Sequence, residues 1–290
     1  MQRLLSEGHT VWYTYCSAAP LAGCGAEAQR VDFATGEGLE ACLAACAPLD
    51  AVLNTAAISQ PGACARDPDA AAAVNVPTRL LAALRASSPA ALFVHLSTDQ
   101  VYEGSRAFWR EEEGAEGTPA NAYGASKRLA EEAVSAWTHH AILRSSIIYG
   151  PEPPYAPVQR PLFLQWLDGA LAAGPMELFE DEFRSPIFVQ DICDLCTALL
   201  RGSPLGVRTL NVGGPERLSR ADMGDAVAAV RGYPRDRVRR VPSASVVRVP
   251  ASPPDISMDV TRLSSLGLRL TPFAQGLVDV FGTRLTDGRE

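Results

Sequence analysis

The chain has 290 residues, with 26 Lys or Arg against 33 Asp or Glu, a formal net charge of −7 at neutral pH. At 47% hydrophobic and 20% charged residues it has the composition of a globular chain able to bury a full core, which excludes a disordered or fibrous protein. No run approaches the roughly 18 apolar residues of a membrane span, and the acidic balance argues against a nucleic-acid surface. Among the basic residues only Lys127 is a lysine; every other one is an arginine.

Taken in chain order, residues 1–9 read as the end of an amphipathic helix closed by Gly8, not as a secretory leader, for which an apolar stretch and a small-residue cleavage site are missing. The β-rich run Val11-Trp12-Tyr13-Thr14-Tyr15 follows, and a short strand is expected from Arg30 to Ala34. A helix near Leu39 to Ala47, a strand over Ala51-Val52-Leu53-Asn54, a long Ala/Leu-rich helix from Asp69 to Ala86 and a strand over residues 91–97 come next. After an acidic loop (Glu111-Glu112-Glu113, read as a solvated face) come a helix from about Tyr123 to Trp137 and a strand over residues 140–144. Short strands alternating with helices predict an α/β fold: a Rossmann-like, doubly wound parallel sheet with ligands at the carboxyl ends of its strands.

Beyond residue 150 this alternation fades. Pro151, Pro153, Pro154, Pro157 and Pro161 mark a loop into a smaller α/β C-terminal lobe, expected to carry the substrate. The predicted division is a dinucleotide-binding domain over 1–149, rejoined by 187–212, and a substrate lobe over 150–186 and 213–290. In the second half, helices are expected over 162–172, around Asp191 and over 220–230, the last capped by Ser219. Arg235, Arg237, Arg239 and Arg240 read as a solvated loop. The seven cysteines are an odd number and predict free thiols in a reducing, cytoplasmic compartment; Cys193 and Cys196 fall on a helical pattern and read as buried. The four histidines have no ligand spacing, so no metal site is predicted.

The chemistry-bearing constellation is Ser97-Thr98-Asp99 at a strand end with Tyr123-Gly124-Ala125-Ser126-Lys127 opening a helix. Four residues are one helical turn, so Tyr123 and Lys127 share a face. A phenol titrates near pH ~10, and a neighbouring cation is expected to lower it, making Tyr123 a usable general acid or base. Thr98 offers a hydroxyl to orient and polarise a carbonyl. With seven tyrosines in 290 residues, the chance that a lone lysine falls four places after one is about 2%, so a coincidental surface helix is the weaker reading.

These residues resemble the catalytic signature of the extended short-chain dehydrogenase/reductases, and within them the dTDP-4-dehydrorhamnose reductase group. The similarity runs along nearly the whole chain. Asn54-Thr55-Ala56-Ala57 resembles the family's loop beside the nicotinamide half of the cofactor, and Asp32-Phe33 its adenine contact. Residues 64–68 and 74–76, 96–104, 121–127, 143–150, 184–191 and 271–277 follow the family's later segments in order. The resemblance implies an NADP or NAD cofactor, hydride delivery to a keto group of a nucleotide-linked sugar, and protonation by Tyr123. Lys127 would bind ribose, Asn75 would support a proton relay, and Asp99 and Arg184 would face the substrate. A close relative of these reductases, the regulatory β subunit of methionine adenosyltransferase, keeps the fold and cofactor site. The alternative reading is therefore a non-catalytic NADP-binding subunit whose partner is a methionine adenosyltransferase.

The sequence departs from the family pattern at three places. Ile147 stands where the reductases commonly have Trp, and Ser252-Pro253 where an Arg-Pro precedes their Leu-Asp-Thr motif, here Met258-Asp259. The family's first strand and Gly-rich turn are missing ahead of Val11, and Gly23 and Gly25 come too late to replace a cradle set between a strand and a helix. On that pattern weak dinucleotide binding and an opened sheet are expected. The second strand ends at Tyr15-Cys16-Ser17 without an acidic residue; Ser17 as a phosphate contact slightly favours NADP over NAD.

Overall fold

The computed structural model describes residues 1–18, 20–115, 117–153, 155, 162–202 and 208–282. Pro154, Pro157 and Pro161 of the expected proline-rich loop lie outside the described residues. The chain opens with α1 (Gln2–Ser6), β1 (Trp12–Tyr15), β2 (Glu27–Arg30), α2 (Leu39–Cys46) and β3 (Ala51–Asn54). Helices α3 (Pro61–Arg66), α4 (Pro68–Asn75) and α5 (Thr78–Ser87) lead to β4 (Leu92–Thr98), then α6 (Ala122–Ser135) and β5 (His140–Ser145). The second half holds β6 (Ile148–Tyr149), α7 (Phe163–Ala173), β7 (Met176–Phe179), β8 (Phe183–Arg184), β9 (Ile187–Phe188) and α8 (Val189–Leu200). It closes with β10 (Thr209–Val212), β11 (Leu218–Ser219), α9 (Arg220–Arg231), β12 (Val238–Val241), α10 (Thr261–Ser265) and α11 (Phe273–Phe281).

The main sheet is parallel, in the order β10-β5-β4-β3. Strands β1 and β2 form a separate parallel pair. Side chains alternate across the main sheet as a period of two requires. Val52, Phe93 and Ile142 pack with α2, α5 and Val134 of α6, whereas Leu53, Val94 and Leu143 pack with Ile192, Leu195 and Leu199 of α8 and with Leu263 of α10. Helices on both faces of a parallel sheet make this the doubly wound α/β fold. A separate apolar cluster in the second half joins α7, α9 and α11 around Leu164, Leu171, Val227, Phe273 and Leu277. No helix among the described residues is long and apolar enough to cross a membrane.

Several expected elements are corrected. The strand placed at 30–34 ends at Arg30, because the Asp32 carboxylate accepts from the amides of Ala34 (2.8 Å) and Thr35 (3.4 Å), turning the chain toward Gly36 with φ +86°. The single helix expected over 69–86 is two: Pro77 forces Val76 into extended backbone (φ −91°, ψ 110°), so α4 stops at Asn75. The Arg235–Arg240 segment is not a loop. Its second half is β12, paired in parallel with β7, and Arg240 bonds Asp222 at 2.8 Å and Asp225 at 2.5 Å. Ser219 caps α9 as expected, its hydroxyl accepting from the Asp222 amide at 3.0 Å in a reciprocal box. All seven cysteines are free thiols, and Cys193 and Cys196 are partly buried on α8.

Candidate active site

The site is assembled where β4 ends against the first turns of α6. Asn121 caps α6, its side-chain oxygen accepting from the Gly124 amide at 3.0 Å. Gly124 permits a close approach: a Cβ there would overlap the carbonyl oxygen of Gln100, in the turn just after β4. The helix start is thus held against Thr98, and Tyr123, 9% exposed, lies beside the Thr98 side chain. The Thr98 hydroxyl also lies 3.2 Å from Asp99 Oδ1 and accepts from the Gln100 amide at 3.3 Å.

Lys127 lies one turn on, only 1% exposed, with Nζ 3.0 Å from His95 Nε2. Asn54 at the end of β3 completes a row, its Nδ2 being 3.0 Å from His95 Nδ1. This overturns the expected electrostatics of the pair. Lys127 is turned onto His95, and the Tyr123 phenol is not lowered by it; burial, with Asp99 and Cys64, pushes the phenol up to about 12, against the opposing bond from Thr98. Burial instead brings the lysine itself down to about 8, against the opposing field of Glu131. His95 is held well below the ordinary imidazole value by burial and by Lys127.

Glu131, one further turn along α6, was not singled out in the sequence, nor was its pairing with Arg144 and Ser97. It accepts from Arg144 (Nη2 to Oε2 2.7 Å, Nε to Oε1 3.0 Å) and from Ser97 (2.5 Å). Arg144 also donates to the Tyr102 hydroxyl at 3.1 Å and the Glu111 carbonyl at 2.7 Å, and Tyr102 donates to Asn211 Oδ1 at 2.6 Å. Glu111 is therefore not on a solvated face: it is buried, and its carboxylate receives the Asn211 amide at 3.0 Å. A signal for the network was present. His95 and Ser97 alternate on β4, and Tyr123, Lys127 and Glu131 are spaced by four on α6, so the two polar rows face each other.

Of the predicted cofactor residues, Asn54 and Asn75 join this cluster. Asn75 is fully buried; its oxygen accepts from the Ile58 amide at 2.7 Å and its nitrogen donates to the Ile58 carbonyl (3.1 Å) and Ser126 hydroxyl (2.8 Å). It pins the loop that carries half-buried Ala56 and Ala57 to α6, and its polar groups are taken up in doing so. Ser17, exposed after β1, and Asp32 and Phe33, after β2, stand apart from the cluster. Asp32 is engaged in its own turn and Phe33 packs on the α2–α5 core.

On the other side, Asp99 is buried and accepts from Ser146 at 2.7 Å; burial raises its carboxyl, with Arg184 opposing. Arg184 is buried and donates to the Pro253 carbonyl (3.0 Å) and Ser252 hydroxyl (2.9 Å), so it holds the segment that departs from the family's Arg-Pro. Arg220, at the start of α9, is brought down to about 9 by burial and by Arg184, and no carboxylate among the described residues forms an ion pair with it. No group of three His, Cys, Asp or Glu among the described residues is placed to hold a metal.

The chain is similar to known proteins. The probable low-salt glycan biosynthesis reductase Agl14 of Haloferax volcanii is 29% identical over 265 residues, 91% of this chain and 86% of that protein. Methionine adenosyltransferase 2 subunit beta of Bos taurus is 26% identical over 243 residues, covering 82% of this chain and 71% of that one. The structure of a hypothetical dTDP-4-dehydrorhamnose reductase from Sulfolobus tokodaii superposes with a TM-score of 0.74 at 25% identity, covering 91% of this chain and 88% of the other. The RmlD substrate binding domain profile matches residues 14–285, and the chain belongs to that family.

Proposed function

We propose that the protein is an NAD(P)H-dependent reductase acting on a keto group of a nucleotide-linked sugar. The observation that carries this reading is the buried Tyr123 phenol beside Thr98 at the end of β4, with Lys127 buried one turn behind on α6. A bound dihydronicotinamide supplies the hydride. Asn54, Ala56 and Ala57 after β3, with Tyr123 and Lys127, are suited to its nicotinamide-ribose half; Ser17, Asp32 and Phe33 are assigned to the adenosine half, Ser17 favouring NADP. As hydride reaches the carbonyl carbon, its oxygen takes the Tyr123 proton. An alkoxide is a far stronger base than a phenolate, so transfer runs downhill even from a phenol at about 12. Thr98 orients that oxygen and steadies the phenolate.

The division into a dinucleotide-binding part (1–149 with 187–212) and a substrate lobe (150–186 with 213–290) is part of the same reading. Arg220 lines a 360 Å³ cleft of the lobe with Trp166, Phe179, Glu177 and the Arg248–Glu182 pair; Arg220 and the aromatics are suited to a nucleotide diphosphate. Asp99 and Arg184 are assigned to the substrate in the same reading. The test is NAD(P)H oxidation with 4-keto sugar nucleotides: Tyr123→Phe should lower kcat by at least about 100-fold with the fold intact, and normal turnover by that variant would sink the assignment.

The likeness to the methionine adenosyltransferase subunit favours a second reading, a cofactor-binding regulatory subunit. It requires co-purification with a methionine adenosyltransferase catalytic subunit and no dependence of that association on Tyr123.

A further inference from the structure

His95 lies in the middle of β4, fully buried, and no role in the proposed reaction falls to it directly. Its two ring nitrogens are nevertheless both engaged, at 3.0 Å by Lys127 Nζ and at 3.0 Å by the Asn54 side-chain amide. A neutral imidazole has one N–H and one lone pair in the plane of the ring, so the two contacts must differ in sense. Two arrangements satisfy that condition. In one, Nε2 accepts from the Lys127 ammonium and Nδ1–H donates, which requires the oxygen end of the Asn54 amide. In the other, Nδ1 accepts from the Asn54 NH2 and Nε2–H points at Lys127, which requires an uncharged amine. Lysine charge, histidine tautomer and asparagine orientation are therefore linked.

We propose that His95 is the positioning residue of Lys127: a neutral imidazole that carries its proton on Nδ1, gives it to the Asn54 oxygen, and accepts the Lys127 ammonium at Nε2. Three observations choose this arrangement. Glu131, the carboxylate one turn along α6, favours the ammonium, and it is itself anchored by Arg144 and Ser97 rather than by the lysine. Turning the Asn54 amide by half a turn gives up only the long 3.3 Å contact from the Ala56 amide. The lysine, though depressed, keeps its proton at neutral pH. Tyr123 and Ser97 add hydrogen-bonding groups but no further charge to the pocket. The ammonium is then fixed by one N–H and retains two others for a ligand. The consequence for turnover rests on the reductase reading above; the tautomer does not.

The composition makes the test direct, because a single lysine gives a single side-chain signal. Nitrogen-15 NMR of the full chain reads the tautomer of each histidine, and loss of one set of signals in His95→Gln assigns it. The expected result at pH 7 is an Nδ1–H tautomer; an Nε2–H tautomer overturns the proposal. Titration of 15N-labelled Lys127 supplies the second readout. His95→Leu should lower its midpoint by about one pH unit, a tenfold change in acidity, and His95→Gln, which retains an acceptor oxygen, should recover most of it. An unchanged midpoint in folded His95→Leu overturns the proposal. If that variant does not fold, the wild-type tautomer decides alone. With turnover as third readout, the pH profile should move with the lysine midpoint. An Nδ1–H tautomer and a shifted midpoint in a chain that reduces no keto sugar nucleotide would support the inference and discard the reductase reading.

Discussion

Replacing Lys127 by Met removes the charge that burial disfavours, and should stabilise the chain while abolishing turnover. The ammonium is 1% exposed, and its depression from 10.5 to about 8 corresponds to about 3 kcal/mol of instability carried by the folded state at neutral pH. Met fills a similar volume, but it leaves the His95 nitrogen at the former 3.0 Å contact without a donor, which costs about 1–2 kcal/mol. The net gain at pH 7 is about 1–2 kcal/mol, a rise in Tm of roughly 2–6 °C for a chain of this size. Its pH dependence has a definite sign. Below about 8 lysine is protonated in both folded and unfolded wild type, and the gap is constant. Between about 8 and 10.5 the unfolded chain still holds the proton that the folded chain has released, so wild-type stability rises with pH and the advantage of Lys127→Met shrinks. Urea unfolding at pH 7, 9 and 10.5 measures this. A variant less stable than wild type at pH 7, or a gap independent of pH over that window, would refute the reasoning.

Glu131→Ala leaves Arg144 buried without its carboxylate and should cost about 3–5 kcal/mol by urea unfolding, whereas Glu131→Leu with Arg144→Met should recover most of the loss; equal losses in single and double variants would contradict this. Asn75→Ala frees both polar groups of Ile58 and should cost about 2–3 kcal/mol and weaken NAD(P)H binding in a fluorescence titration. Arg220→Leu removes a depressed cation with no ion-pair partner among the described residues. It should leave Tm unchanged or higher and raise KM for a sugar nucleotide by about tenfold with kcat little affected; an unchanged KM would remove Arg220 from the substrate site.

The alternation of short strands with helices was legible because the main-sheet strands β3, β4, β5 and β10 are buried on both faces and read as largely apolar runs, and the parallel sheet follows from that. Strand β2 and the break between α4 and α5 were misplaced where local chemistry overrides periodicity, at the Asp32 turn and at Pro77. The arginine run was misread because β12 is recognisable only through its pairing with β7, which is distant in sequence.

What the sequence determined by itself is the helix-turn spacing of Tyr123 and Lys127, the strand-end position of Thr98, and that Lys127 is the lone lysine. Local spacing sets which groups share a face. Only the tertiary structure decided what those groups touch: it faced Lys127 with His95 instead of Tyr123, buried the phenol beside Thr98, and paired Glu131 of α6 with Arg144 of β5. The reason is that direction and burial come from contacts between segments far apart in the chain, and burial, by removing water, governs which charges persist and which hydrogen bonds they form.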